Sequence, residues 1–297
     1  MNKWPSRAPA GRVAYVNGRY LPHGAAGVHV EDRGLQFGDS VYEVFNVSGG
    51  VLLDEGGHLG RLERSLRALS LDMPLTRPAL RLVLREVLRR NRVRDGMVYL
   101  QVTRGAFRRD HPIPEQAARP TLIVTARSSD PAAAAKKLRE GITVITQPDI
   151  RWGWRDIKTT QLLPNLLAKT AAKRAGAGEA WLVDDDGFVT EGGSANAWIV
   201  TAAGDVVTHP LGRAILPGVT RSVVLAAAKD AGIAFIERKF TVEEARKARE
   251  AFITSASGAA VPVLAIDGHP IGDGTPGPLT RRLQALYARK TGTSPNS

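Results

Sequence analysis

The chain has 297 residues, 43% of them hydrophobic, no cysteine and a formal net charge of +12. Its length allows a large buried core divided between two domains, and the lack of cysteine excludes a disulfide framework, a thiolate nucleophile and thiolate metal ligands. The basic residues are mostly arginines spread among acids rather than gathered in a stripe. That argues against a nucleic-acid partner, while a field of this sign attracts small anions such as phosphates and carboxylates.

No apolar run of signal-peptide length opens the chain, and none approaches the roughly 20 residues of a membrane span. The expectation is therefore a cytoplasmic protein with no membrane partner. Residues 13–22 read as two short strands about Asn17-Gly18, a dipeptide suited to a two-residue hairpin turn. Residues 31–40 set two glycines among charged residues and predict a structured loop. The strand over 41–47 alternates, so Tyr42 shares a face with Val44 and Asn46; by itself it reads as a half-buried sheet aromatic. Helical spacing covers 58–71, with Leu59, Leu62, Leu66 and Leu69 in one stripe, and 80–93 after Thr76 and Pro78. Arg61 and Arg64 fall off that stripe, where solvated side chains are expected unless a helix end meets an anion.

A strand over 97–103 delivers the chain into residues 104–112. In an extended loop, Arg109 and His111 are two residues apart and would point to one side, offering a guanidinium fork and an imidazole to one carboxylate. A basic surface loop would look the same. Another strand covers 120–126, and residues 127–131 with the alanine run after them read as a linker. The expected division is an N-terminal α/β domain over 1–128, a linker over 129–134 and a C-terminal domain over 135–297.

In the second half, residues 142–146 read as a strand and 151–160 carry Lys158 after Trp152 and Trp154. A lysine becomes a nucleophile when burial or neighbouring cations disfavour its ammonium form, and those tryptophans with Arg151 and Arg155 could supply both effects. A lone lysine is otherwise an ordinary surface charge. A helix over 162–175 places Leu163, Leu166, Leu167 and Thr170 on one side and ends at Gly176 and Gly178. Asp184, Asp185, Asp186 and Gly187 resemble half a calcium loop but lack the downstream glutamate, so a hairpin turn is predicted. Glu191 stands beside two glycines between strands, where backbone can come close to a ligand. Residues 215–221 introduce a helix over 223–231 whose start suits a phosphate, and the strand over 251–258 ends in small hydroxyl residues.

Five segments in order carry a resemblance to the fold-type IV pyridoxal-phosphate aminotransferases, the branched-chain-like class IV, and within them to the D-amino acid aminotransferases. They are residues 31–43, 101–105, 156–158, 190–192 and 218–221. The resemblance implies an α/β, two-domain fold with a smaller N-terminal α/β domain and a C-terminal domain with a barrel-like β core. It implies pyridoxal 5'-phosphate as cofactor, a homodimer, and transamination between a D-amino acid such as D-alanine and a 2-oxo acid such as 2-oxoglutarate. By it, Lys158 forms the Schiff base and moves the substrate proton, and Glu191 pairs with the pyridine nitrogen. Arg61, Val219 and Thr220 hold the phosphate, with Ser255 adding to them, and Leu216 supports the ring. Ala256 stands where relatives usually carry a hydroxyl residue, so that contact is lost or is supplied by Ser255 or Ser257. Tyr42, Arg109 and His111 bind the substrate carboxylate, the last two on a loop that reaches the neighbour's site. The alternatives on the same fold are a branched-chain L-amino acid or (R)-amine transaminase and aminodeoxychorismate lyase.

Overall fold

The computed structural model describes residues 11–115 and 119–293; the opening residues, read above for a signal peptide, lie outside them. Two compact units make up the chain: residues 1–130 with 157–161, and residues 131–156 with 162–297.

The first unit is built on an antiparallel sheet of β1 (Val13–Val16), β2 (Arg19–Pro22), β3 (Ser40–Ser48), β4 (Val51–Leu52), β5 (Gly96–Thr103) and β6 (Thr121–Ser128), in the order β2-β1-β6-β5-β3-β4. The first hairpin turns on Asn17 and Gly18, both at positive φ as a two-residue turn requires. Strand alternation divides the sheet faces. Val41, Glu43, Phe45 and Val47 on β3 and Val98, Leu100 and Val102 on β5 are buried, whereas Tyr42, Tyr99 and Gln101 occupy the other, half-buried face. Helices α2 (Glu55–Ala68) and α3 (Arg77–Asn91) cover the unit with Leu59, Leu62, Leu66, Leu80, Leu84 and Val87. The loop expected over 31–40 contains a short helix, α1 (Arg33–Phe37). Asp32 caps it by accepting from the Gly34 N–H at 2.8 Å, and Gly38 ends it at φ 66°.

Residues 157–161 join this unit although the chain on both sides of them belongs to the other. Thr159 bridges Val41, and the Thr160 N–H donates to the Ser40 carbonyl at 3.2 Å, so the segment runs along the start of β3.

The second unit opens with α4 (Pro131–Glu140), so the alanine run expected as linker is helical, because alanine is the best helix former. It continues through β7 (Ile142–Pro148), α5 (Leu163–Arg174), β8 (Glu179–Val183), β9 (Val189–Gly192), β10 (Asn196–Val200), β11 (Val206–Thr208), α6 (Val219–Asp230), β12 (Phe235–Glu237), α7 (Val242–Arg246), β13 (Glu250–Ser255), β14 (Gly258–Ile266), β15 (His269–Pro270) and α8 (Pro278–Thr291). The strands form one mixed sheet in the order β12-β11-β10-β13-β14-β7-β8-β9, with β15 on β14. Strands β9 and β10 lie five places apart in that order, yet only residues 193–195 join them. The sheet therefore curls into a half-barrel, as the Gly192 N–H to Ala195 carbonyl bond at 2.6 Å requires. One of its core clusters contains Trp181, Ile253 and Phe240, and another contains Trp198 stacked on Phe252 at 5.3 Å. Asp184 closes the tight turn over 184–187, accepting at its carbonyl from Gly187 at 3.0 Å.

The helix expected over 162–175 is α5, and the leucines on its one side are exposed. Leu163, Leu166 and Leu167 are 67%, 58% and 56% accessible, and the face that packs inward carries Ala168 and Ala172. Helix α6 begins at Val219, four residues before the expected 223, because Gly218 already takes the extended N-cap conformation.

Candidate active site

Lys158 is held by its backbone on both sides. Its carbonyl accepts from the Tyr42 N–H at 3.0 Å, and its N–H donates to Ser65 Oγ at 3.3 Å. The half-buried amine stands 4.2 Å from the centre of the Tyr42 ring, a cation–π arrangement. Tyr42 in turn stacks on Tyr99 at 5.7 Å. Behind it a chain of hydrogen bonds runs from the Tyr99 hydroxyl to Gln101 (2.9 Å), from Gln101 to Ser40 Oγ (3.2 Å) and between Ser40 and Thr160 (2.5 Å). Burial, with Tyr42 adding, pushes the Tyr99 hydroxyl up to about 12, so it stays a neutral donor. The tryptophans and arginines expected around Lys158 have other partners. Trp152 and Trp154 face each other at 6.0 Å, and Arg151 and Arg155 are drawn to Asp149.

Arg61, expected to be solvated on local grounds, is 6% exposed. It meets Glu43 side-on, Nε to Oε1 and Nη2 to Oε2 both at 2.7 Å, while His58 Nδ1 lies 2.8 Å from the same carboxylate. Burial alone would raise Glu43, but the charge and hydrogen bonds of Arg61, with His58, bring it down to about 2. A charged residue thus sits among the apolar residues of β3 because its partners lie on α2.

Arg109 and His111 are exposed and both lie against Phe37, the guanidinium 5.2 Å and the imidazole 5.7 Å from its ring centre. Buried Arg33 shapes this loop. It pairs with Asp39 at 2.9 Å and donates to the carbonyls of Asp110 (2.7 Å) and His111 (3.3 Å). Among the described residues, Tyr42 makes no hydrogen bond or ring contact with Arg109 or His111.

In the second unit, Glu191 is tied to β10 and to the segment before α6. This carboxylate is buried, pairs through Oε1 with Arg151, accepts from Asn196 Nδ2 at Oε2 (2.9 Å), and receives the Leu216 N–H at 3.1 Å on both oxygens. Burial raises its proton affinity above the ordinary carboxylate range, with Arg151 opposing the rise. Asn196 also donates to the Leu216 carbonyl at 2.9 Å, which ties β9, β10 and the segment before α6 together. Val219 and Thr220, both buried, form the first turn of α6, where no side chain caps the N-terminus and backbone N–H groups remain to meet an anion. Asn196 pairs with Thr254 across β10 and β13, so Ser255 follows next on the same strand, with Ala256 in the turn after it.

Gly218 locks this arrangement, since a Cβ there would lie 2.1 Å from Asn196 Oδ1. Asn196 cannot yield without leaving Glu191 or Leu216. Gly218→Ala is expected to cost about 1–3 kcal/mol by overpacking, seen as a lower thermal midpoint; an unchanged midpoint would show that Asn196 moves freely.

Phe37, Arg33, Asn196 and Asp149 were not legible as site residues. The available signals were the Asp149-x-Arg151 spacing, which sets two opposite charges on one side of an extended segment, and an asparagine five residues after Glu191. Each unit carries groups that suit pyridoxal phosphate: the first a half-buried amine on Lys158, the second a buried carboxylate for a ring nitrogen on Glu191 and an uncapped helix start for a phosphate at α6.

The amino-transferase class IV family matches residues 40–266. The D-alanine aminotransferase of Bacillus licheniformis is 40% identical over 90% of this chain and 93% of its own, and that of Staphylococcus haemolyticus 39% identical over 91% and 94%. Among solved structures, the Escherichia coli branched-chain amino acid aminotransferase superposes with a TM-score of 0.86 at 26% identity, covering 96% of both chains. The branched-chain amino acid aminotransferase of Thermoproteus uzoniensis, solved with norvaline, gives 0.79 at 26% identity over 93% of both. Another branched-chain enzyme, in a structure with pyridoxamine 5'-phosphate, gives 0.85 at 28% identity over 96% of both.

Proposed function

Because this chain belongs to the class IV aminotransferase family, we propose that it transfers the amino group of a D-amino acid such as D-alanine to a 2-oxo acid such as 2-oxoglutarate, with pyridoxal 5'-phosphate as cofactor. The observation that carries the D-specific part is the likeness to D-alanine aminotransferases over nine-tenths of the chain. The Tyr42, Arg109 and His111 set supports it as a binding device for a carboxylate.

When bound, the cofactor supplies an electron sink for the carbanion left as the α-proton departs. Lys158 would hold the cofactor covalently and would then remove and return that proton, because only a primary amine does both. Tyr42 lies under this amine and limits the directions from which it can act. Glu191 meets the pyridine nitrogen, and Leu216, whose N–H already fixes Glu191, supports the ring. Val219 and Thr220 receive the phosphate at the start of α6, joined by Ser255 and by Arg61. Ala256 offers no hydroxyl and contributes backbone only.

Arg109 and His111 fix the substrate carboxylate, and their exposure within one chain suits a loop that completes a neighbour's site. The exposed leucines of α5 supply an apolar face for the same homodimer, checked by a mass in solution twice the 31.9 kDa of one chain. No helix among the described residues is long and apolar enough to cross a membrane; a cytoplasmic location is part of the proposal and is checked by fractionation.

Loading the protein with pyridoxal phosphate, reducing with borohydride and mapping peptides tests the cofactor assignment; the label belongs on Lys158, and label elsewhere or nowhere refutes it. The double change Arg109→Ala with His111→Ala is expected to lower kcat/KM for carboxylate substrates by about 10²-fold, from the loss of charged hydrogen bonds, while leaving simple amines nearly unaffected. Equal losses on both substrate types would remove the pair from substrate binding and favour the branched-chain or amine alternatives.

A further inference from the structure

Glu191 is held by a device that its assigned contact with a ring nitrogen does not require. Arg151 grips Asp149 side-on, Nε to Oδ1 at 2.9 Å and Nη2 to Oδ2 at 2.8 Å, and turns its remaining Nη1 to Glu191 Oε1. The Asp149 side chain is fully buried. It accepts from Thr190 Oγ1 at 2.7 Å, and Arg155 Nε lies 3.5 Å from it. The guanidinium therefore has little freedom to leave, and Thr190 Oγ1 also lies within 3.3 Å of it. Four charged groups face one another here: Asp149, Arg151, Arg155 and Glu191. Their charges cancel, and the whole set belongs to the second unit.

A buried carboxylate left to itself takes up a proton, because the charged form loses most on leaving water. A protonated Glu191 could neither hold a proton on a pyridine nitrogen nor favour a positive ring. The fixed counter-charge on its Oε1 side is the group that can prevent this. Asn196 and the Leu216 N–H also favour the ionised form by donating to the carboxylate, but they bring no counter-charge.

We propose that Arg151, clamped by Asp149, is a positioning residue that keeps Glu191 ionised and thereby sets the protonation state of the cofactor ring nitrogen. This deepens the proposed function and rests on it only for the ring. The hold of Arg151 on Glu191 stands without cofactor.

Two measurements test it. In cofactor-free protein, infrared difference spectra of Arg151→Met are expected to show the C=O band of a neutral buried carboxylic acid. That band is absent in wild type and in Arg151→Lys, and is lost again when Glu191→Gln is added to Arg151→Met. In protein loaded with ring-15N pyridoxal phosphate, the nitrogen resonance is expected at the protonated position in wild type and Arg151→Lys, and at the unprotonated position in Arg151→Met and Glu191→Gln. A merely structural role for Arg151 would make the lysine variant behave like the methionine variant. Should Arg151→Met fail to fold, Arg151→Gln carries the same comparison. An ionised Glu191 together with a protonated ring in the folded neutral variant would overturn the proposal. If wild type took up no pyridoxal phosphate, the proposed function would fall, and the infrared comparison would still decide whether Arg151 holds Glu191 ionised.

Discussion

Lys158→Ala is expected to lower transamination by about 10⁴-fold or more, the scale set by removing a group that acts both as covalent anchor and as general base. The fold should survive. The segment is pinned through its backbone, by the Tyr42 N–H, by Ser65 and by the bridge from Thr159 to Val41, so the side chain can be removed without releasing the chain. The half-buried amine leaves only a small void over Tyr42. An unchanged thermal midpoint with no borohydride-trapped cofactor would therefore locate the loss in chemistry. Lys158→Arg sharpens the comparison, because it keeps a cation over the Tyr42 ring yet cannot form a Schiff base or act as a base at neutral pH. It should be as inactive as alanine. Recovery of a hundredth or more of wild-type rate in either variant would remove Lys158 from the centre of the reaction.

The second large effect concerns stability. Glu43→Gln is expected to destabilise the first unit by about 3–5 kcal/mol, the usual result of removing one partner of a buried ion pair. Glu43 is fully buried and takes two bonds from Arg61 and one contact from His58; the neutral amide leaves the buried guanidinium without that counter-charge. The pH dependence has a definite sign. The Glu43 carboxyl is depressed from 4.5 to about 2 in the folded protein, so its stabilising contribution is present above about 4.5 and is lost as pH falls towards 2. Denaturation at a series of pH values should show this acid-side loss in wild type and a flatter profile in Glu43→Gln. Parallel profiles would mean that the pair contributes nothing to folding. Because Arg61 is also assigned to the cofactor phosphate, the variant should bind pyridoxal phosphate more weakly as well.

Periodicity made much of the fold legible. The alternation in β3 and the leucine spacing in α2 identify those elements, and Asn17-Gly18 marks its turn, because each signal lies within a few residues of its cause. The same spacing identified α5 but not the fate of its leucines. Leu163, Leu166 and Leu167 form a regular stripe, and periodicity records that a helix has an apolar face without saying whether this chain covers it. Arg61 failed for a related reason, since its partner Glu43 lies on a different element and local polarity predicts solvent. The boundary of the first unit was hidden too. Residues 157–161 pair with β3 across more than a hundred residues of chain, and nothing in their composition announces it.

Lys158, Glu191 and the start of α6 stand out as candidates because each belongs to a short segment with a recognisable pattern. Asp149, Arg33 and Phe37 meet the candidates or their neighbours from other segments and carry no such pattern. Arg151 was noticed, but as a neighbour of Lys158. In the structure it points to Glu191, and only side-chain geometry distinguishes the two roles.

The most direct test is a coupled assay of protein loaded with pyridoxal phosphate, with 2-oxoglutarate as acceptor and pyruvate as readout, run in parallel on D-alanine and L-alanine. Pyruvate should form from the D-isomer and be lost with Lys158→Ala; formation from the L-isomer alone would contradict D-amino acid transamination.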